Sequence, residues 1–191
     1  MKASELITKL ERLLTENTVY VNGGFGTTLR GSQLDRYTSK GYNKDNAEKI
    51  KQAASQPPCY GFDCVGLVKG LLWGFSFKSE STYGGATYKG NGIDDVGVLS
   101  FAQKYCTAIT DAKDGADYPA GCFVYMADGS HCGYYVGDGK VIHSSRYGLG
   151  KVQYGKLSDF DKIAKIQCIE YDAPSKKSFV CPCCGAKFVE V

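Results

Sequence analysis

The sequence predicts an α+β fold in which N-terminal helices pack on a central antiparallel sheet. Three observations carry this. Leu6, Leu10, Leu13 and Leu14 recur at helical spacing among charges, and Leu67, Val68, Leu71 and Leu72 do so again. From Gly121 onward the apolar period falls to two. Gly137-Asp138-Gly139-Lys140 is an Asp-Gly turn between two alternating runs, which reads as a hairpin. Helices first and a meander after them make an α+β arrangement. A chain of 191 residues, 43% hydrophobic, can bury one real core.

The elements follow in order. A helix spans about Ala3 to Leu14, and Val19 to Val21 is a short extended piece running into Gly23-Gly24. Residues 25–60 are polar and glycine-containing, with a helix expected over Asn43 to Ala54 (Asp45 near its start) and a stop at Pro57-Pro58. The run from Phe62 to Phe75 is apolar at helical spacing. Asp63 can cap it, which places Cys64 in its first turn. Trp73 is then a core residue of that helix. Residues 78–92 form a loop, and Gly97 to Tyr105 fits another helix. Strands are expected over Gly121 to Met126, His131 to Val136, Val141 to Ser144 and Ile163 to Ile169. The domain is expected to end at 172, with a linker and cysteine-rich tail over 173–191.

Composition narrows the partners. The net charge is only +3, with Lys and Arg scattered among Asp and Glu, so no basic stripe for nucleic acid is present. No run reaches the roughly 18 apolar residues of a membrane helix. The N-terminal segment lacks the apolar region of a secretion signal. The expectation is synthesis in the cytoplasm without a signal peptide, with any outside target reached by another route. The 24 glycines and 14 tyrosines suggest long loops and aromatic surfaces. Nine cysteines are an odd number, and without a signal peptide they read better as reduced thiols than as a disulfide framework.

The chemistry concentrates in two places. A thiol attacks as thiolate, and both a helix N-terminus and a neighbouring imidazole favour that form. Cys64 has the first by position. The chain has only two histidines, His131 and His143, and they flank the Asp138-Gly139 turn almost symmetrically. In a hairpin they approach each other on adjacent strands if both point to one face. Alternation puts Gly133, Tyr135 and Gly137 on the His131 face, with Cys132, Tyr134 and Val136 on the other. Cys106, Cys122, Cys132 and Cys168 sit in apolar or strand-like runs and read as packed thiols.

These residues resemble a known family. Tyr20-Val21-Asn22-Gly23-Gly24, Phe62-Asp63-Cys64-Val65-Gly66-Leu67-Val68, Pro119-Ala120-Gly121-Cys122-Phe123-Val124, Ser130-His131-Cys132-Gly133-Tyr134-Tyr135-Val136-Gly137-Asp138-Gly139 and Val141-Ile142-His143 follow one another in the order seen in the NlpC/P60 papain-like peptidoglycan hydrolases. Val65 departs from the serine usual after the nucleophile, and the stretch between Gly24 and Phe62 is longer than in compact members. The resemblance implies a papain-like NlpC/P60 fold in which Cys64 is the nucleophile, His131 its base and acid, and His143 the residue that orients His131. It implies oxyanion donors in the Cys64 N–H and the Tyr20 hydroxyl. Asp63 stands beside them at the substrate site, its first role being the helix cap. The implied activity is a cysteine endopeptidase or amidase on peptidoglycan stem peptides, next to a D-γ-glutamyl residue, with no cofactor in catalysis. The 25–60 stretch would shape the groove. The run through Trp73 and Tyr83-Gly84-Gly85-Ala86-Thr87-Tyr88 resembles phage endolysin-like proteins, which leave the cell through holin pores. Alternatives are a papain-like hydrolase of another amide or acyl substrate, and a zinc-tail interaction module on a non-lytic scaffold.

That tail carries Cys181-Pro182-Cys183-Cys184-Gly185. Cys-Pro-x-Cys-Gly turns aim two thiolates at one zinc, so Cys181 and Cys184 are candidate ligands and Cys183 a further one. Tetrahedral zinc needs four, and Cys59, Cys168 or a second chain would complete the set, the last making a homodimer. A reactive or disulfide-forming tail fits the same residues.

Overall fold

The computed structural model describes residues 1–115 and 117–171, and the backbone of 178–180 and 187–189. Helix α1 (Ala3–Thr15) buries Ala3, Leu6, Leu10 and Leu13, the stripe that its periodicity dictates. Strand β1 (Thr18–Tyr20) and strand β3 (Tyr60–Phe62) pair in parallel, with Tyr20 opposite Phe62. Strand β2 (Phe25–Thr28) pairs antiparallel with β3 on its other edge. Between β2 and β3 lie helices α2 (Gly31–Thr38) and α3 (Ala47–Ala54). Leu29, Tyr37 and Ile50 from this stretch join Val19, Val21 and Cys59 in a separate apolar cluster.

Helix α4 (Cys64–Leu72) follows β3 directly, and helix α5 (Val98–Tyr105) comes after the long loop. The remaining strands are β4 (Cys106–Asp111), β5 (Phe123–Tyr125), β6 (Cys132–Gly137), β7 (Lys140–Ser144), β8 (Val152–Lys156) and β9 (Lys162–Ile166). They form one sheet in the order β4-β9-β5-β6-β7-β8, antiparallel throughout. Helices α1, α4 and α5 cover one face, where Leu67, Leu71, Phe101, Phe123 and Tyr134 are buried together. Tyr135, Val124, Val141 and Ile163 cover the other with Leu157 and Phe160. The chain is therefore α+β, as its periodicities predict.

Helix α4 owes its position to two glycines. An added Cβ at Gly66 would lie 1.9 Å from the Gly24 carbonyl oxygen, and one at Gly70 would lie 2.4 Å from that of Phe25. One turn apart, they let the helix rest directly on the Gly24-Phe25 backbone. The Tyr134 hydroxyl donates to the Val68 carbonyl at 3.0 Å from beneath. The two sheets are joined near the same place: Ser144 Oγ donates to the Phe62 carbonyl at 2.8 Å, and the Tyr20 N–H to that of Gly150 at 2.8 Å.

Some boundaries differ from the sequence reading. The helix expected over 43–54 begins at Ala47, after a 3-10 turn over Gly41–Asn46. Its first residues are diverted because Asn43 and Asn46 bond to the Tyr20–Asn22 backbone instead. The strand expected to reach Ile169 stops at Ile166, where the chain turns back through an Ile169 N–H to Ile166 carbonyl bond. Strand β6 begins one residue after His131.

The cysteine tail is flanked by a hairpin: strands β10 (Ser178–Val180) and β11 (Lys187–Val189) pair antiparallel, Phe179 opposite Phe188. Cys181, Cys183 and Cys184 themselves lie outside the described residues, as does the linker over 172–177. Among the described residues no helix is long and apolar enough to cross a membrane.

Candidate active site

Cys64 is the first residue of α4 and is 9% exposed. Asp63 caps the helix by accepting the Gly66 N–H, and its second oxygen accepts the Gly23 N–H at 2.7 Å. One carboxylate thus pins the Gly23-Gly24 turn to the helix that carries Cys64. Burial pushes the Asp63 carboxyl up to about 6, with the nearby Cys64 charge adding to the rise. Parallel pairing of β1 and β3 brings Tyr20 level with Phe62 and therefore beside Cys64. The Tyr20 hydroxyl is held above its usual range by burial first, then by the charges of Cys64 and Asp63. It is a neutral O–H donor at the nucleophile.

Residues 25–60 brace this arrangement. Asn43, 1% exposed, accepts the Asn22 N–H at 2.9 Å and donates to the Asn22 carbonyl at 3.1 Å. Asn46, 6% exposed, donates to the Tyr20 carbonyl at 2.8 Å, and the Tyr37 hydroxyl donates to the Gly23 carbonyl at 3.1 Å. These three side chains fix the Tyr20–Gly24 backbone. Nothing in the sequence singles them out. Only their burial marks them.

The two histidines meet. His131 Nε2 and His143 Nδ1 are 2.6 Å apart, with ring centroids 4.9 Å apart. His143 packs against Gly133 of β6 and pairs with Gln153 on β8. Both neighbouring strands make room with glycine. A Cβ at Gly133 would sit 2.9 Å from the His143 Cβ, and one at Gly155 3.0 Å from its Nε2. Phe160 closes the face, stacked on His131 at 5.8 Å and edge-on to His143 at 5.9 Å. Sequence periodicity gave no sign of Phe160, which lies in a short turn after β8.

The electrostatics order the protons. Burial first, and then the positive charge of His131, lower the His143 imidazole to about 4, so it is neutral at physiological pH. It also donates to the Tyr154 carbonyl. With Nδ1 turned to His131, that donor is Nε2, so Nδ1 is left to accept from His131 Nε2–H. The other His131 nitrogen is then left for Cys64, whose thiol the ring helps to ionise. The Cys64 thiol is lowered to about 4. The largest cause is a hydrogen bond from Cys132, and burial opposes it. The His131 bond and charge and the Val65 N–H add to the lowering. Cys132 is fully buried and kept protonated by burial and by that same contact, so its S–H is the donor. It is a packed residue, as its sequence context indicates, but also part of the site.

The site residues expected from sequence, Cys64, His131, His143, Tyr20 and Asp63, are therefore gathered at one end of α4, joined by Cys132 and Phe160. The arrangement can present a thiolate, an imidazole proton donor that favours it, and O–H and N–H donors alongside.

The remaining cysteines differ. Cys59 is 1% exposed among Val19, Val21, Leu29 and Ile50, and burial pushes its thiol up to about 12, the environment of a packed thiol rather than a zinc ligand. Cys168 is exposed. Among the described residues no group of three or more His, Cys, Asp or Glu side chains could hold a metal ion; the candidate zinc ligands of the tail lie outside them. Compared with family models and with curated proteins, the chain matches none.

Proposed function

We propose that this protein is a cysteine endopeptidase or amidase of the papain-like NlpC/P60 kind, hydrolysing amide bonds in peptidoglycan stem peptides. The observation that carries the reading is the Cys64–His131–His143 relay. A thiol at a helix start is made more acidic by an imidazole, and that imidazole meets a second, neutral one at 2.6 Å. A thiolate–imidazolium pair with a neutral orienting group suits acyl transfer from amides. The substrate class rests on the motif resemblance over Tyr20 to His143.

In this mechanism the Cys64 thiolate attacks the scissile carbonyl carbon. The oxyanion that forms accepts hydrogen bonds from the Cys64 N–H and the Tyr20 hydroxyl. As the C–N bond breaks, His131 gives its proton to the leaving amine. Water, deprotonated by the now neutral His131, attacks the thioester. The acid product leaves and the ion pair is restored. His143 keeps its proton on Nε2 throughout and holds His131 by Nδ1. Release to the wall through a holin-like route belongs to the same proposal. The tail would then serve as an accessory.

Digestion of purified Gram-positive peptidoglycan by wild type and Cys64→Ala, with fragments read by mass spectrometry, tests the reading. New peptide termini from wild type alone support it and identify the bond. Fragments from neither protein would remove the wall as substrate, and fragments from both would remove Cys64 as nucleophile.

A further inference from the structure

The loop between β7 and β8 is clamped to both strands beside the nucleophile. At its start, Ser144 bonds the Phe62 carbonyl, two residues before Cys64. At its end, the Gly150 carbonyl accepts the Tyr20 N–H. Inside, the loop is braced rather than loose. Ser145 Oγ accepts the Tyr147 N–H at 3.1 Å, Gln153 accepts from the Leu149 N–H at 3.0 Å and donates to the Tyr147 carbonyl at 2.8 Å. Gly148 and Gly150 take φ of +64° and +67°, the left-handed turns that such a tight loop needs.

This braced loop holds its side chains outward. Tyr147 and Leu149, 78% and 71% exposed, are the most exposed large hydrophobic residues described. Between Ser145 and Tyr147 stands Arg146, also exposed, whose guanidinium enters no ion pair among the described residues. Its charge reaches the Tyr20 hydroxyl. The other charged groups acting on that hydroxyl, Cys64 and Asp63, are anionic. Without a cation on this rim, a negatively charged substrate would meet only repulsion from the thiolate and the carboxylate. An unpaired guanidinium beside an apolar edge suits a carboxylate on a short aliphatic or peptide stem.

We propose that Arg146, held at the rim of the Cys64 site by the Ser145–Gly150 loop, is a specificity residue that pairs with a carboxylate carried by the substrate next to the scissile amide. The inference rests on Cys64 being the hydrolytic nucleophile. Tyr147 and Leu149 cover the stem that bears the carboxylate.

Two measurements test it. The first needs no natural substrate: the rates at which iodoacetate and iodoacetamide alkylate Cys64, located by peptide mapping. A cation near the thiolate favours the anionic reagent. Arg146→Gln should lower the iodoacetate-to-iodoacetamide ratio about fivefold. Lys140→Gln, which removes a charge at the far end of β7, should leave it unchanged, and Arg146→Lys should largely keep it. The second compares kcat/KM on γ-D-glutamyl stem peptides with the α-carboxylate free or amidated. Arg146→Gln and Arg146→Lys should both lose about tenfold on the free acid and little on the amide, because lysine lacks the two-pronged fork. An alkylation ratio unmoved by Arg146→Gln, or an acid preference that survives it, would overturn the proposal. If wild type cleaves neither peptide while the alkylation ratio still falls, the carboxylate site stands and the peptidoglycan reading fails.

Discussion

Cys64 and Cys59 are the same side chain, nearly equally hidden, in opposite electrostatic settings. Cys59 is 1% exposed in an apolar cluster, and its thiol rises to about 12. Cys106 and Cys122, also buried in apolar contacts, rise to about 12 and about 11. Cys64, 9% exposed, falls to about 4. Burial therefore cannot be what activates a thiol here, since alone it disfavours the charged form. What differs is the set of donors: Cys132 S–H, His131 and the Val65 N–H at the start of α4. Cys59 sits at the entry to β3 and Cys64 just past its exit. A three-residue strand separates an inert thiol from a reactive one.

The largest break in this contrast should come from His131→Ala. Hydrolysis should fall by about a thousandfold or more, since acid, base and ion-pair partner go together. Alkylation of Cys64 near pH 6 should slow by at least about tenfold as the thiol rises toward its ordinary range. Cys59, Cys106 and Cys122 should stay unlabelled in both folded proteins. Quantitative mapping of alkylated peptides checks all four thiols at once.

Gly66→Ala tests the platform beneath the reactive thiol. The new Cβ would fall 1.9 Å from the Gly24 carbonyl oxygen, so helix and turn must separate. A loss of about 2–4 kcal/mol is expected from urea unfolding. Gly41→Ala, where nothing lies within 4 Å, should cost less than about 0.5 kcal/mol. Equal effects would show that α4 does not depend on this contact.

Cys132→Val keeps the bulk but removes the donor. Cys64 should become less acidic and alkylate more slowly near pH 5, by up to about tenfold, with a smaller effect on hydrolysis at pH 7. An unchanged rate would remove Cys132 from the set of activating groups.

How much of this was legible depends on range. The α1 stripe, the Asp63 cap, the Asp138-Gly139 hairpin and the shared face of His131 and His143 are local patterns, and the structure has them. Strands β2, β3, β4 and β8 and helix α2 have no counterpart among the elements expected from sequence. β2 carries a glycine at φ +100° and exists through its pairing with β3. β4 and β8 are half-exposed edge strands held by distant partners. The same applies in the site. Cys64 and the histidines stand in patterns that a single sequence displays, whereas Asn43, Asn46, Phe160 and Cys132 gain their roles from contacts that close only in three dimensions.

Stability should also depend on pH. Folded His143 stays neutral down to about 4, while in the unfolded chain it gains a proton near 6.5, so stability falls as pH drops across that window. Cys64, ionised above about 4 only when folded, adds loss from about 9 downward. Asp63 works the other way. Its folded pKa of about 6 lies above the ordinary carboxylate value of 3.8, so it gives back stability as pH falls between them. Two losses against one gain predict a lower urea midpoint at pH 5 than at pH 7. The drop should be smaller in Cys64→Ala and in His143→Asn.

The most direct test of the central claim is the rate of Cys64 alkylation by iodoacetamide as a function of pH, followed by peptide mapping. A thiolate set by Cys132 and His131 predicts a rate that holds its neutral-pH plateau through pH 6 and falls only as pH approaches about 4. A rate that instead climbs with a midpoint near that of a free thiol, about 8.5, would contradict the ion pair and the mechanism built on it.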